Sequence, residues 1–109
     1  MKRAFCKFHR NCRFGGEISE KWREKARILR GKGGVFSYCI LSAENPSEQL
    51  EIVNSAFLCS SRCRKNPPTV YGVARTRRGA FALVAQIFNE AARAGMPGEA
   101  GRFVLSDRF

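Results

Sequence analysis

Groups suited to acid–base chemistry are scarce in this sequence. It has one histidine, His9, and nine Asp and Glu residues against 20 Lys and Arg residues. The acidic residues are scattered, and no two of them have a spacing typical of general acid–base catalysis. No nucleophile with a neighbouring base can be named either. We therefore predict no catalytic residues and expect a protein that is not an enzyme.

Long apolar segments are also missing. No stretch approaches the ~20 apolar residues that a membrane-spanning helix needs. The basic start of the chain is similar to the start of a secretory signal, but Lys7 and Arg10 interrupt the apolar region that should follow it. The five cysteines are odd in number, which does not suit a complete disulfide framework. These features favour a reduced, cytoplasmic setting.

Positive charge is concentrated near the N-terminus. Residues 1–34 carry eleven Lys and Arg against three Glu, a net charge of +8, whereas residues 35–109 carry nine against six acids, a net of +3. Residues 1–16 contain no acid and alternate cations with phenylalanine. We predict a basic, flexible arm over residues 1–18 and one small domain over residues 19–109. The alternative for the first segment is a start codon assigned too early, in which case the arm is not part of the natural protein.

A short amphipathic helix is predicted over residues 19–30. Ser19 can act as its N-cap, and Gly31 stands where a helix ends. Glu24 and Arg27 are expected to pair on its surface. The apolar side of this helix is expected to consist of Ile18, Trp22, Ala26 and Leu29.

A second, longer helix is predicted over residues 77–94. Thr76 is a suitable N-cap, and Gly95 is a suitable residue to end the helix. Its apolar side is broad enough to cover a small sheet. That side is expected to consist of Ala80, Phe81, Leu83, Val84, Ile87, Phe88 and Ala91.

Strands are predicted over residues 35–42, 49–54, 69–75 and 102–105, from their β-branched and aromatic content. The second of these could also continue a helix, and residues 55–65 read as a short helix or an irregular turn. The glycine within the third strand indicates a close approach by another part of the chain. The predicted fold is α+β: a small three- to four-stranded, mostly antiparallel sheet covered on one face by the long C-terminal helix, with a short N-terminal helix.

The middle of the chain has a weak resemblance to a protein family. The segments CILSAENPSEQLEIVNSAFL, VYGVARTRRGAFALVAQIF and RFVL, within residues ~35–105, resemble small uncharacterised bacterial proteins that are associated with conjugative and other mobile elements. That family tends to be acidic where this chain has Arg75, Arg77 and Arg78. The resemblance implies the fold and a genomic setting in a mobile element. Together with the lack of catalytic groups, it gives an alternative function, a non-enzymatic protein-interaction module of a mobile element. It supplies no catalytic residue.

Clustered cations make nucleic acid the first predicted partner. Lys and Arg gain affinity by releasing counterions from phosphates, and aromatic side chains stack on unpaired bases. We predict non-specific nucleic-acid binding, mainly through the N-terminal arm, with an acidic protein surface or an anionic membrane as alternatives. The candidate residues are Lys2, Arg3, Lys7, Arg10, Arg13, Arg62, Arg64, Lys65, Arg77 and Arg78.

A zinc-stabilised domain is a further alternative. Structural zinc sites use four Cys or His ligands, often in two closely spaced pairs. The chain has two groups of such residues but lacks the usual spacing of two residues between cysteines. The candidate ligands are Cys6, His9, Cys12, Cys59 and Cys63, while Cys39 is expected in the core. No cofactor other than this zinc is predicted.

Overall fold

Four strands and four α-helices form the part of the chain that the computed structural model describes, residues 3–31, 37–43 and 49–109. The strands are β1 (Lys7–Phe14), β2 (Tyr38–Ser42), β3 (Leu50–Asn54) and β4 (Thr69–Ala74). The helices are α1 (Lys21–Arg30), α2 (Ser61–Lys65), α3 (Arg77–Arg93) and α4 (Ala100–Val104), and a 3-10 helix spans Ser55–Cys59.

The four strands form one mixed sheet in the order β1-β4-β2-β3. β2 runs antiparallel to both neighbours, and its hairpin with β3 pairs Ile40 with Ile52. β1 runs parallel to β4. The predicted α+β class and the strand over residues 49–54 are confirmed, whereas a mostly antiparallel sheet is wrong because the N-terminal strand joins one edge in parallel.

An irregularity in β4 decides which of its side chains face each layer. Ile40 pairs with Gly72 but the next residue of β2 pairs with Val70, so Tyr71 is an extra residue on β4. A Cβ atom at Gly72 would lie 2.8 Å from Ile40 Cδ1. The close approach predicted at this glycine is therefore confirmed. After the bulge, Val73 returns to the same face as Val70.

Helices pack on both faces of the sheet. On one face, Ile28 of α1, Leu58 of the 3-10 helix and Cys63 of α2 join a buried apolar cluster with Cys39 and Val73. The opposite face is covered by α3 and α4. The buried residues there are Ile40, Tyr71, Ala74, Ala80, Leu83, Ile87, Ala91, Ala100, Phe103, Val104 and Phe109.

The predicted long helix is present as α3, and both of its ends have the expected residues. Thr76 Oγ1 accepts a hydrogen bond from Gly79 N at 2.9 Å, and Gly95 has a φ of 80°. The apolar side is narrower than predicted, because the Phe81 side chain is 57 % exposed. Burial centres instead on the line of small and branched residues that includes Ile87.

The N-terminal segment does not form the flexible arm that the sequence predicts over residues 1–18. Ala4 is buried, and residues 7–14 are strand β1. The high cation content is compatible with a strand because β1 lies at the sheet edge, where Lys and Arg side chains reach solvent. Its apolar members, including Phe8 and Cys12, pack against the core.

Two further predictions differ from the structure. Residues 102–105 are not an edge strand, because Arg102–Val104 belong to α4, which buries Phe103. Ser19 is not the N-cap of α1, since Glu20 holds that position and no side chain caps this end. Gly31 does end α1, with a left-handed φ of 63°. Part of the strand predicted over residues 35–42 lies outside the described residues.

Candidate functional site

The N-terminal segment lies beside α2, so two predicted basic clusters meet. Phe5 N donates to Leu58 O at 2.8 Å, and Lys7 N donates to Pro68 O at 2.8 Å. The Arg64 guanidinium carbon lies 5.7 Å from the centre of the Phe5 ring. The residues before β1 and the residues of α2 therefore share one surface.

Cations of α1 extend this surface along β1. Lys25 Nζ lies 5.7 Å from the Phe8 ring centre and 5.8 Å from that of Phe14. Lys21 Nζ lies 5.7 Å from the Phe14 ring centre. Arg10 is exposed two residues after Phe8, in the stretch of β1 between Phe8 and Arg13 where the pairing with β4 is irregular. We call this region the basic surface: Arg10, Lys21, Lys25 and Arg64 around Phe5, Phe8 and Phe14.

Two predicted nucleic-acid residues of β1 lie away from the basic surface. Arg13 Nη2 is 2.8 Å from Glu90 Oε2, and the Arg13 guanidinium carbon lies 4.3 Å above the Phe109 ring. Arg13 thus fastens β1 to the layer of α3 and α4. Lys7 is exposed, and alternation from Phe8 places it toward that layer as well.

The remaining predicted cations are distributed around the molecule. Arg3 is exposed and precedes the buried Ala4, while Lys2 lies outside the described residues. Arg62 and Lys65 are exposed on α2, next in sequence to the basic surface. Arg77 and Arg78 are exposed in the first turn of α3.

The five predicted zinc ligands do not gather at one point. His9 contacts Tyr71 and Phe109, with ring centres 5.6 and 5.1 Å apart, on the side of α3 and α4. Cys12 is buried in the opposite layer. Within residues 3–31, 37–43 and 49–109, no group of three or more His, Cys, Asp or Glu side chains is placed to hold a metal ion. The zinc alternative therefore has no structural support there.

Burial controls the chemistry of the N-terminal thiols and imidazole. It raises the pKa of Cys12 to about 12 and, followed by electrostatic interaction with Cys63 and Cys59, raises that of Cys6 to about 11. Desolvation, followed by the charges of Arg10 and Arg13, lowers the pKa of His9. At neutral pH these groups are therefore mainly uncharged.

Trp22, the one tryptophan of the chain, lies on the solvent side of α1. Its side chain is 67 % exposed, and the guanidinium carbon of Arg23 lies 5.3 Å from its ring centre. The sequence analysis placed Trp22 on the buried side and is wrong on this point. The exposed aromatic ring is flanked in sequence by Lys21 and Arg23.

Glu24 takes the buried position on α1 instead. Only 2 % of its side chain is exposed. Its Oε2 is 2.5 Å from Arg27 Nη2 and also accepts a hydrogen bond from the Ser37 hydroxyl, while its Oε1 is 3.1 Å from Arg75 Nη2. Ser37 is held in turn by Ser55, whose Oγ accepts from Ser37 N at 3.1 Å. The predicted pair of Glu24 with Arg27 exists, but it is an interior contact.

The sequence analysis did not nominate this network, although a local signal is present. Glu24 precedes the buried Ile28 by four residues, so both lie on one side of α1. A buried carboxylate requires positive partners. One of these comes from the same helix, but Arg75 is 51 residues away along the chain, and only the fold brings it close.

A cavity of about 320 Å³ opens beside this network, between α1 and the residues that connect β4 to α3. Three arginines and two carboxylates contribute to its wall. The lining residues are Ile18, Ser19, Glu20, Arg23, Glu24, Arg27 and Arg75. We call it the arginine cavity.

Comparison of the chain with protein-family models, with curated proteins and with solved structures finds no significant match. The comparisons therefore do not bear on the resemblance to mobile-element proteins, which stays a prediction. Among the described residues, no helix has both the length and the apolar character required to cross a bilayer.

Proposed function

We propose that this protein binds nucleic acid without sequence specificity, through the basic surface rather than through a flexible arm. The observation that supports the proposal is the placement of cations from α1, α2 and β1 around the phenylalanine rings of one sheet edge. Cations so placed can contact successive phosphates of one strand. No base-reading contact is proposed, because phosphate contacts carry no sequence information.

The charges of the basic surface are available to a ligand. Arg10, Lys21, Lys25 and Arg64 form no ion pair within the described residues. The ion-paired carboxylates of the described residues are bound to other arginines. These are Arg13, Arg23, Arg27, Arg75 and Arg102. Within residues 3–31, 37–43 and 49–109, the charges of these four cations are therefore not neutralised by ion pairs.

Trp22 adds a second type of contact. An exposed indole on the helix that carries Lys21 and Lys25 can stack on an unpaired base, which contributes about 1–3 kcal/mol per base. Stacking favours single-stranded over duplex nucleic acid, because bases in a duplex already stack on one another. We therefore expect the protein to prefer single strands.

Salt dependence gives the expected magnitude. Four phosphate contacts on a single strand correspond to a slope of about −2.8 in log affinity against log salt. Raising salt from about 50 to 200 mM should then weaken binding about 50-fold. A labelled single-stranded oligonucleotide followed by fluorescence anisotropy measures this slope.

A matched pair of variants tests which surface binds. Lys25→Gln with Arg64→Gln should lower the slope by about 1.4, since two contacts are lost. Arg93→Gln with Arg102→Gln removes the same charge from exposed positions in the layer of α3 and α4 and should leave the slope nearly unchanged. Equal losses in both double variants, or no binding at low salt, would contradict the proposal.

Polyglutamate serves as a polyanion that lacks phosphates and bases. The oligonucleotide should bind more tightly than polyglutamate of equal charge, and replacing Trp22 with alanine should reduce that difference. Equal affinity for both polyanions would instead assign the basic surface to an acidic protein partner.

A further inference from the structure

The arginine cavity has the components of an anion site, and none of them belongs to the basic surface. Arg23 and Arg27 approach it from α1, and Arg75 approaches from the end of β4. Together with Glu20 and Glu24, the charged side chains of the wall sum to +1, from three cations and two anions. A negatively charged ligand would thus meet a wall with a small net positive charge, beside which the Glu17 carboxylate accepts a hydrogen bond from Arg75 N at 3.0 Å.

Each arginine of the cavity is held by a single side-chain nitrogen. Arg27 and Arg75 use Nη2 to reach Glu24, at 2.5 and 3.1 Å, and Arg23 uses Nε to reach Glu20 at 2.6 Å. The other guanidinium nitrogens of these three residues have no partner within the described residues. Since a guanidinium has five N–H donors, most of the donor capacity is still available.

The buried carboxylate fixes two of these arginines before any ligand arrives. Both oxygens of Glu24 are occupied, one by Arg75 and the other by Arg27 and the Ser37 hydroxyl. Ser37 is itself fixed by two hydrogen bonds with Ser55, of 3.1 and 2.8 Å. Donors that are held in place in this way lose less freedom when they bind a ligand.

The start of α1 adds neutral donors to the same wall. The hydroxyl of Ser19 has no hydrogen-bond partner within the described residues. No side chain caps the first turn of α1 after Glu20. The uncapped N–H groups and the helix dipole favour negative charge at this end.

We propose that the arginine cavity binds the dianionic phosphate of a phosphomonoester. A carboxylate has two oxygens and is satisfied by one guanidinium fork, whereas the three terminal oxygens of a phosphomonoester can accept from several arginines at once. The volume of about 320 Å³ lies at the lower end of the ~300–1,000 Å³ typical of small-molecule sites, so it can hold a phosphate with part of the group that carries it.

Such a phosphate has two sources, the 5′ end of a nucleic-acid strand and a free mononucleotide. The proposal does not depend on nucleic-acid binding by the basic surface, because none of the cavity arginines belongs to that surface. Calorimetric titration with adenosine 5′-monophosphate, adenosine and inorganic phosphate tests it directly. The monophosphate and inorganic phosphate should bind, and adenosine should not.

Three single substitutions, each compared by calorimetric titration with adenosine 5′-monophosphate, locate the site. Arg23→Gln changes an exposed side chain and should weaken monophosphate binding about 5- to 10-fold. Arg75→Lys keeps the positive charge but loses the paired N–H donors of the guanidinium, and should weaken binding by a similar factor. Arg30→Gln is the matched control, because Arg30 is exposed on the same helix outside the cavity. It should leave the affinity unchanged.

A pair of oligonucleotides distinguishes the two sources. If the ligand is a strand end, a 5′-phosphorylated oligonucleotide should bind more tightly than its 5′-hydroxyl form, and Arg23→Gln should remove only that difference. If the ligand is a free mononucleotide, the two oligonucleotides should bind equally while the monophosphate still binds. The proposal is overturned if neither phosphate nor the monophosphate binds, or if binding is insensitive to both cavity variants.

Discussion

Replacing Glu24 with glutamine removes the charge of the buried carboxylate while keeping its size. Glu24 is 2 % exposed and has three partners, Arg27, Arg75 and Ser37. Removing one partner of a fully buried ion pair costs about 3–5 kcal/mol, since the other charge is left without compensation. The perturbation therefore tests whether this network holds α1 on the sheet.

The expected loss is smaller than that limit, because the arginine partners are not fully buried. The side chains of Arg27 and Arg75 are 26 % and 45 % exposed, so both can recover part of their hydration. The amide oxygen of glutamine can also accept one of the three original hydrogen bonds. We expect Glu24→Gln to lower the free energy of unfolding by about 2–3 kcal/mol.

Urea unfolding followed by far-ultraviolet circular dichroism measures this loss, with an unchanged m-value showing that the unfolding transition is the same. Glu20→Gln is the matched control, being the same substitution one helical turn earlier. Its pair with Arg23 is exposed, so we expect a loss of no more than about 0.5 kcal/mol. Equal losses in the two variants would refute the view that burial makes the Glu24 network stabilising.

Three other outcomes follow from the packing. Gly101→Ala should lower the free energy of unfolding by about 1–2 kcal/mol in the same assay, because the added Cβ atom would lie 2.8 Å from the backbone oxygen of Gln49. This loss is expected even though alanine has the higher helix propensity, and a stabilised variant would contradict the contact. Phe103→Ala should lower the free energy of unfolding by about 3–5 kcal/mol, whereas Phe81→Ala, at an exposed position of α3, should lower it by less than about 1 kcal/mol. Similar losses in the two variants would show that the burial of these side chains is wrongly assigned. The thiol of Cys39 is fully buried, and that burial raises its pKa. Iodoacetamide at pH 8 should therefore label Cys39 only after the protein is unfolded in urea, which mass spectrometry detects. Rapid labelling of the folded protein would be inconsistent with a buried Cys39.

The elements of the central and C-terminal chain could be predicted where local signals agree. The helix over residues 77–94 has an apolar period, a threonine cap and a terminal glycine, and α3 has all three. The strand over residues 49–54 also formed as predicted. Residues 102–105 were predicted as a strand from four apolar and basic residues, too short a segment to distinguish a strand from a single helical turn.

The position of the N-terminal segment could not be predicted from its own composition. Cations in residues 7–14 indicate an exposed segment, but exposure is also a property of an edge strand. The parallel pairing of β1 joins Lys7 to Thr69, which is distant along the chain. Pairings of that kind leave no local pattern in the sequence.

The candidate sites were predictable only in part. Cations near the N-terminus were nominated, and Arg10 and Arg64 do lie on the basic surface. The lysines of α1 were not nominated, since their position over β1 depends on how the helix packs. The arginine cavity was missed because Trp22 was assigned to the buried side of α1, whereas Glu24 takes that side when Arg75 neutralises it.

The most direct test of the basic surface is an amide chemical-shift map of the ¹⁵N-labelled protein during titration with a single-stranded oligonucleotide that has a 5′-hydroxyl end. We expect the largest shifts in α1, in residues 5–14 and in α2, with the indole N–H of Trp22 among them, and we expect them to disappear at high salt. Shifts confined to α3 and α4, or no shifts at low salt, would contradict nucleic-acid binding by this surface.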